Sequence, residues 1–185
     1  YHAIVFEEED TLNFLPKMLS EPEGYEFANH IIRGVSDEAK TKLPQADRIG
    51  NTYVDLLSAS TGNGSANFPQ DNDGVIRRAP TAIYFDGADH VYPSLVMSAV
   101  IDILGIKKDG GFDYDFENNL LNLIDSTDTI VRTIPIDDNG RMYVNYFGKF
   151  QTFYYLPYSY CMDPEMLPPD YWEGKVALVG ASLPG

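Results

Sequence analysis

Two acidic tetrapeptides that end in glycine interrupt the β-prone runs of this chain. They are Asp71-Asn72-Asp73-Gly74 and Asp137-Asp138-Asn139-Gly140. Asn and Gly tolerate the positive φ angles of tight turns, so each tetrapeptide predicts a chain reversal. The second lies between a β-prone run over 130–136 and an alternating run over 142–147, which predicts a β-hairpin over 130–147.

The other local patterns indicate short strands separated by short helices. Further strands are predicted over 3–6, 30–32, 53–57, 75–85 with a break at Pro80, and 176–179. Helices are predicted over 10–20, from Ser36, from Pro93 to a stop at Gly105, and over 116–124. The glycine-rich residues 61–65 are expected to form a flexible loop.

The helix that begins at Pro93 has an apolar stripe at helical spacing. Its predicted core-facing residues are Leu95, Val96, Ala99, Val100 and Ile103. The apolar, β-branched run Val176–Val179 is typical of a central strand. These patterns predict a single α/β domain with a mixed central β-sheet, helices packed on it, and Val176–Val179 near its centre.

The charge balance is strongly acidic. Thirteen Lys and Arg face 28 Asp and Glu, giving a formal net charge of −15. Nucleic acids and anionic lipid surfaces need basic patches, so neither is an expected partner. With 44% hydrophobic residues the chain can bury a core, which excludes global disorder.

Residues that bind metals in clusters are sparse. The single Cys161 cannot form a disulfide within the chain, and His2, His30 and His90 are scattered. Asp71 and Asp73 resemble part of a calcium loop, but Pro69 and Pro80 occupy the positions of its required carboxylates. We therefore expect no metal and no cofactor.

Two glycine motifs leave an enzymatic alternative open. The segment 62–67 lacks the third glycine of a dinucleotide fingerprint. Gly180 and Gly185 have the spacing of a phosphate loop, and Ser182 has part of the spacing of a hydrolase elbow, although Pro184 replaces its last glycine. The alternative is therefore an α/β nucleotide-binding or hydrolase fragment that uses the Gly180–Gly185 loop.

Several short motifs follow one another in a specific order. They are Asp71-x-Asp73-Gly74-Val75-x-Arg77-Arg78-x-Pro80, then Tyr92-Pro93-Ser94-Leu95, Ile134-Pro135-Ile136, Gly140-Arg141-Met142-x-Val144-Asn145-Tyr146-x-Gly148, and Gly174-Lys175-Val176-Ala177-Leu178-Val179-Gly180-Ala181-Ser182. In this order they resemble the second CHASE family of extracellular sensory domains, most clearly over residues 43–185. Residues 1–42 match more weakly.

The resemblance implies an extracytoplasmic (periplasmic or extracellular) sensor without catalytic residues, covering residues 1–185. Transmembrane helices and a cytoplasmic output domain would follow. That output is usually an adenylate/guanylate cyclase, and otherwise a histidine kinase, a Ser/Thr kinase or a diguanylate cyclase. No run of about 18 apolar residues lies in the chain itself. Since Tyr1 lies within a β-like run, we expect an excised piece of a longer, membrane-embedded protein.

A small ligand or another stimulus would be the partner of such a sensor. Arginine suits anionic ligands and aromatic side chains line pockets, so the candidate binding residues combine both types. They are Arg77, Arg78, Tyr92, Asn145, Tyr146, Tyr154 and Tyr155. Cyclase and kinase outputs generally act in pairs, which makes a homodimer the candidate assembly.

Overall fold

A computed structural model describes residues 2–4, 6–7, 31–46, 48–49, 59–86, 89–149, 152–163 and 165–180. The chain divides into two compact units, Tyr1–Val144 and Asn145–Gly185. The predicted helix over 10–20 and the predicted strand over 53–57 lie outside the described residues.

The strands and helices are short and are numbered here in chain order. The strands are β1 (His2–Ile4), β2 (Phe6–Glu7), β3 (Gln45–Ala46), β4 (Arg48–Ile49), β5 (Asn63–Ser65), β6 (Arg78–Pro80), β7 (Ala82–Phe85), β8 (His90–Pro93), β9 (Phe112–Asp115), β10 (Leu120–Ile124), β11 (Ile130–Pro135) and β12 (Arg141–Tyr143). The helices are α1 (Asp37–Lys42), α2 (Leu95–Leu104) and, in the second unit, α3 (Tyr158–Met162).

The strands of the first unit form small sheets of both orientations. β3 runs parallel to β7, which pairs antiparallel with β8. β9, β10 and β11 form an antiparallel sheet with β10 in the middle. Two-stranded pairs join β1 with β5, β2 with β4, and β6 with β12. The predicted α/β class with mixed sheets and packed helices is confirmed.

Apolar side chains from α2 and from the β9–β11 sheet form the core of the first unit. Met97 and Ile101 of α2 belong to the same buried cluster as Phe112, Leu121 and Leu123. Burying each such side chain stabilises the fold by about 1.5–3 kcal/mol. The strands that carry Arg78 and Tyr92 therefore belong to a unit with a well-packed interior.

The helices α1 and α2 each begin with a serine cap. The Ser36 hydroxyl accepts a hydrogen bond from the Ala39 amide, which confirms the predicted helix start. Ser94 caps α2 in the same way through the Met97 amide, so the helix begins at Leu95. The predicted start at Pro93 is wrong because Pro93 belongs to β8 and pairs with Ala82. The predicted stop at Gly105 is confirmed, with φ of 64°.

The buried face of α2 differs from the predicted stripe. Met97, Ser98 and Ile101 are buried, whereas Val96 is 51% and Ile103 is 63% exposed. The predicted stripe is wrong at Val96 and Ile103, whereas Val100 is partly buried and packs against the core. Apolar residues lie on nearly every side of α2, so apolar spacing alone does not show which side packs. Residues 97, 98 and 101 share one face at helical spacing.

Residues 61–65 are not the predicted flexible loop. Asn63–Ser65 forms β5, whose side chains are buried, and Ser65 bridges to Ser94. Gly64 has no Cβ, so its backbone can pack against the start of α2. The small residues that suggested a loop are instead the residues that permit this close packing.

The predicted helix over 116–124 is wrong. Residues 120–124 form β10, in which Leu121 and Leu123 are buried and their neighbours are partly exposed. The turn before β10 places Asn119 at φ of 57°, and the Asp115 carboxylate accepts hydrogen bonds from the Asn118 amide and side chain. This turn chemistry favours a hairpin with β9 over a helix.

The predicted hairpin over 130–147 is also wrong, although its turn is correct. The Gly140 amide donates to the Asp137 carbonyl at 3.0 Å, and Gly140 has φ of 67°. The strands on either side do not pair with each other, because β11 pairs with β10 and β12 pairs with β6. The predicted strand over 75–85 begins at Arg78 and is interrupted at Thr81, one residue after Pro80.

The second unit contains the short helix α3 and mostly irregular backbone in its described part. The segment 176–179 forms no strand there, and Leu178 is 93% exposed. The predicted central strand is therefore wrong, because β-branched composition alone supplies no pairing partner. Among the described residues of both units, no helix has the length and apolar composition needed to cross a bilayer.

Candidate functional site

Arg77 is held by the acidic turn that precedes β6. Its two terminal nitrogens donate to the two carboxylate oxygens of Asp73 at 2.8 and 2.7 Å, and Nη1 also lies 3.3 Å from Asp71 Oδ2. The Arg77 hydrogen bonds, together with one from the Val75 amide, lower the pKa of Asp73 to about 2. The guanidinium thus neutralises part of the negative charge of these two carboxylates, as a bound cation would.

The turn itself is tight and contains no cluster of metal ligands. The Gly74 amide donates to the Asp71 carbonyl at 2.8 Å, and Gly74 has φ of 79°. In the described part of the chain, no three His, Cys, Asp or Glu side chains converge as a metal site would require.

Arg78 belongs to a different group, which we call the Asp137 cluster: Arg78, Asp137, Arg141 and Tyr143. Arg141 donates to Asp137 Oδ2 through Nε at 2.9 Å and approaches it with Nη2 at 2.8 Å. Arg78 Nη1 reaches the same oxygen at 3.3 Å. The Tyr143 ring lies 5.4 Å from Arg78 Cζ, within the range of a cation–π interaction.

The pairing of β6 with β12 brings the cluster together. Arg78 is directly opposite Tyr143, and Pro80 is opposite Arg141. The Asp137 side chain is then fixed by the turn, since its Oδ1 accepts hydrogen bonds from the amides of Asn139 and Arg141 at 3.0 and 2.9 Å. Two guanidinium groups consequently share one well-anchored carboxylate.

Two features make the cluster electrostatically unbalanced. Burial acts to raise the pKa of the Asp137 carboxyl, but hydrogen bonds from Arg141 and the Asn139 amide, with the Arg141 charge, together lower it below its ordinary value. The cluster thus carries two positive charges and one negative charge. In addition, Arg78 Nε is buried and has no hydrogen-bond partner among the described residues. A buried unpaired donor of this kind costs about 1–3 kcal/mol.

Tyr92, the third candidate in the first unit, is buried in the interior. It has no solvent exposure, and its ring meets those of Phe85 and His90 edge-on at 6.2 and 6.1 Å. A ligand could contact Tyr92 only if this part of the core opened.

The remaining candidates lie in the second unit. Asn145 and Tyr146 are exposed, and Tyr154 is 82% exposed. Thr152, Phe153, Tyr154 and Tyr155 line an open depression of about 430 Å³. The structure therefore brings Tyr154 and Tyr155 to one concave surface, whereas Arg77 and Arg78 contact separate sets of aspartates.

Sequence reasoning missed Asp137 and Arg141. A local signal exists, because Arg141 follows Asp137 by four residues across a turn. The contact between Arg78 and Asp137 spans 59 residues. It depends on the pairing of β6 with β12, which the predicted 130–147 hairpin did not include.

Comparison with known protein families shows to which family the chain belongs. The model of the CHASE2 domain matches residues 3–185. The chain belongs to the CHASE2 family. This family consists of extracellular sensory domains that occur in cyclases and kinases, and its domains are not catalytic. The match also includes the residues before 43, where the sequence resemblance is weaker.

The family match is the one positive result of the comparisons. No curated protein and no solved structure matches the chain. The descriptions of the Asp137 cluster and of the depression at 152–155 therefore rest on the structure of this chain alone.

Proposed function

We propose that this CHASE2 domain is the signal-input domain of a bacterial transmembrane receptor and lies on the extracytoplasmic side of the membrane. The match over residues 3–185 carries the proposal, because it covers nearly the whole chain with a family of extracellular sensory domains. The proposed output is an adenylate or guanylate cyclase, and otherwise a histidine or Ser/Thr kinase. Catalysis belongs to that output domain.

A sensor of this kind acts through differential affinity. Its stimulus must stabilise one conformation over another, since a ligand with equal affinity for both shifts nothing. The candidate contacts are the arginines at 77 and 78 and the exposed residues Asn145, Tyr146, Tyr154 and Tyr155. A homodimer would couple the change to an output that works as a pair.

The enzymatic alternative receives less support from the structure. A phosphate loop requires a buried strand before its first glycine, so that the backbone amides converge on the anion. Residues 176–179 form no strand, and the loop beyond Gly180 lies outside the described residues. We therefore do not propose nucleotide binding or hydrolysis at this loop.

The location can be tested in the intact receptor. In a variant in which Cys161 is replaced by Ser, a new cysteine at the exposed residue Asn118 should react with a membrane-impermeant maleimide in whole cells whose inner membrane is intact. A cysteine placed in the output domain is the matched control and should react only after lysis. Labelling of residue 118 only after lysis would contradict the extracytoplasmic assignment.

The signalling role needs a second measurement. Cyclic nucleotide production or autophosphorylation in membranes should change when the CHASE2 domain is deleted with its flanking anchors retained. Unchanged output under every growth condition tested, with the protein present in equal amount, would contradict the sensory role. Turnover of a substrate by the isolated chain would contradict it equally.

A further inference from the structure

We propose that Arg78 and Tyr143 bind a small monoanionic carboxylate, which replaces Asp137 as the partner of Arg78. The assignment of this ligand as a receptor stimulus rests on the proposed function, whereas the binding itself does not. The inference depends on three observations: the unequal contacts of the two arginines, the exposed ring beside Arg78, and the charge of the cluster.

The contacts with Asp137 are unequal. Arg141 lies within 2.8–2.9 Å of Oδ2 through two nitrogens, while Arg78 reaches that oxygen with one nitrogen at 3.3 Å. A guanidinium has five donors and pairs best with a carboxylate through two parallel hydrogen bonds. Arg78 makes no such pair with Asp137, and its Nε has no partner among the described residues. A ligand carboxylate would give the Arg78 guanidinium the two-point contact that Asp137 does not give it.

The Tyr143 ring provides a surface for the rest of the ligand. It is 67% exposed, and strand register fixes it opposite Arg78. The backbone beyond it is also held, because the Val144 amide donates to the Arg77 carbonyl at 2.9 Å. A planar group attached to the carboxylate can therefore stack on a ring whose position is set by the ladder.

Charge selects a monoanion over a more highly charged ligand. The cluster has an excess of one positive charge, while the whole chain has a net charge of −15. Asp71 also acts electrostatically on Arg78. A dianion such as phosphate would be repelled about twice as strongly by the acidic chain. The excess of one positive charge in the cluster would balance only half of its charge.

The exchange has a structural consequence at the junction of β6 and β12. When the ligand takes Arg78, Asp137 keeps Arg141 and the amides of its own turn. The turn therefore stays formed, while the side-chain link from Arg78 of β6 to that turn is released. A ligand that breaks one specific contact discriminates between two states of the domain, which a sensor requires.

The test uses the full chain and three probes: benzoate, its neutral analogue benzamide, and inorganic phosphate. Titrations are followed by the arginine Nε–Hε signals in NMR spectra and by calorimetry. We expect saturable benzoate binding that shifts the Arg78 signal, no binding of benzamide, and weaker binding of phosphate. Arg78→Gln should weaken benzoate binding by about tenfold or more.

Arg132→Gln is the matched control, since Arg132 lies on β11 and its Nη1 lies 3.5 Å from the neighbouring Val131 carbonyl. It should change the benzoate affinity by less than about twofold. Tyr143→Ala alters an exposed side chain and serves if Arg78→Gln does not fold; it should also weaken binding. The proposal fails if benzoate causes no saturable shift up to about 50 mM, or if the Arg132 and Arg78 variants weaken binding equally.

The binding site and the proposed function fail in different ways. Benzoate binding that is lost in Arg78→Gln, together with receptor output that never responds to this domain, would retain the site and reject the sensory role. Output that depends on the domain, with no benzoate binding, would retain the role and reject the site.

Discussion

Gly64 of β5 lies directly against Leu95 at the start of α2. A Cβ atom on residue 64 would stand 2.5 Å from the Leu95 Cα and 2.6 Å from its amide nitrogen. Backbone atoms cannot give way as the end of a flexible side chain can. This contact joins β5 to the helix that supplies Met97 and Ile101 to the core.

Gly64→Ala should therefore destabilise the domain, because β5 and α2 must separate to admit a methyl group. Overpacking of this kind costs about 1–3 kcal/mol, and the free energy of unfolding can be measured by urea denaturation. Gly180→Ala is the control, since a Cβ there meets no atom within 4 Å. Equal stability of both variants would show that the contact between residue 64 and α2 is not close.

Truncation along α2 should distinguish its two sides. Ile101 is 2% exposed and should cost about 2–5 kcal/mol when replaced by Ala. Ile103→Ala removes the same atoms from a residue that is 63% exposed, and should change the free energy of unfolding by less than about 0.5 kcal/mol. Thermal or urea unfolding of the two variants provides the measurement. The reverse order of stabilities would restore the stripe predicted from the sequence.

Removal of the Arg77 guanidinium should raise the pKa of Asp73. The pKa of Asp73 is lowered to about 2, chiefly by hydrogen bonds from Arg77. Arg77→Gln should move this pKa upward toward its ordinary value of 3.8, as followed by carboxyl carbon chemical shifts in an acid titration. The same titration of Arg132→Gln should leave Asp73 unchanged.

This ion pair has a defined pH dependence. The pKa of Asp73 is lower in the folded state, so its contribution to stability is present above about 3.8 and is lost as the pH falls through about 2. The contribution is small because both side chains are substantially solvated. A pKa of Asp73 near 4 in the unaltered protein would contradict the contact.

His90 should make the domain less stable in mildly acidic solution. Burial, followed by the nearby Arg33 charge, lowers the pKa of His90 from 6.5. Because the folded state disfavours the protonated form of His90, protonation costs stability. The contribution of neutral His90 is therefore present above pH 6.5 and is lost as the pH falls toward the folded-state pKa. Free energies of unfolding at several pH values, for the unaltered chain and His90→Asn, would measure it. The slope near pH 6 should be smaller in the variant; identical slopes would assign it to other groups.

Local chemistry in the sequence predicted the ends of several elements. The Ser36 side chain caps the start of α1, and the backbone of Gly105 adopts the positive φ that ends α2. Both effects involve only a few neighbouring residues, so both helix ends could be recognised in the sequence. The Asp71–Gly74 and Asp137–Gly140 turns are local in the same sense.

Pairing and burial could not be predicted in this way. The apolar content of residues 116–124 alone does not separate a short helix from a strand, so pairing with β9 and β11 decides the outcome. The pairing of β12 with β6 joins residues that are 61 to 65 positions apart, and the Asp137 cluster depends on that pairing. The buried Ser98 shows that the inner face of a helix need not be its most apolar stripe.

The β6–β12 ladder also has a kinetic consequence. The β9–β11 sheet forms from neighbouring segments, whereas β6 and β12 must close a loop that contains that whole sheet. Loop closure over such a distance has a greater entropic penalty, so this ladder should assemble late during folding and be among the first to exchange its amide protons with solvent. A sensory domain with such a late-forming, easily opened ladder can respond to a weak signal while its core stays folded.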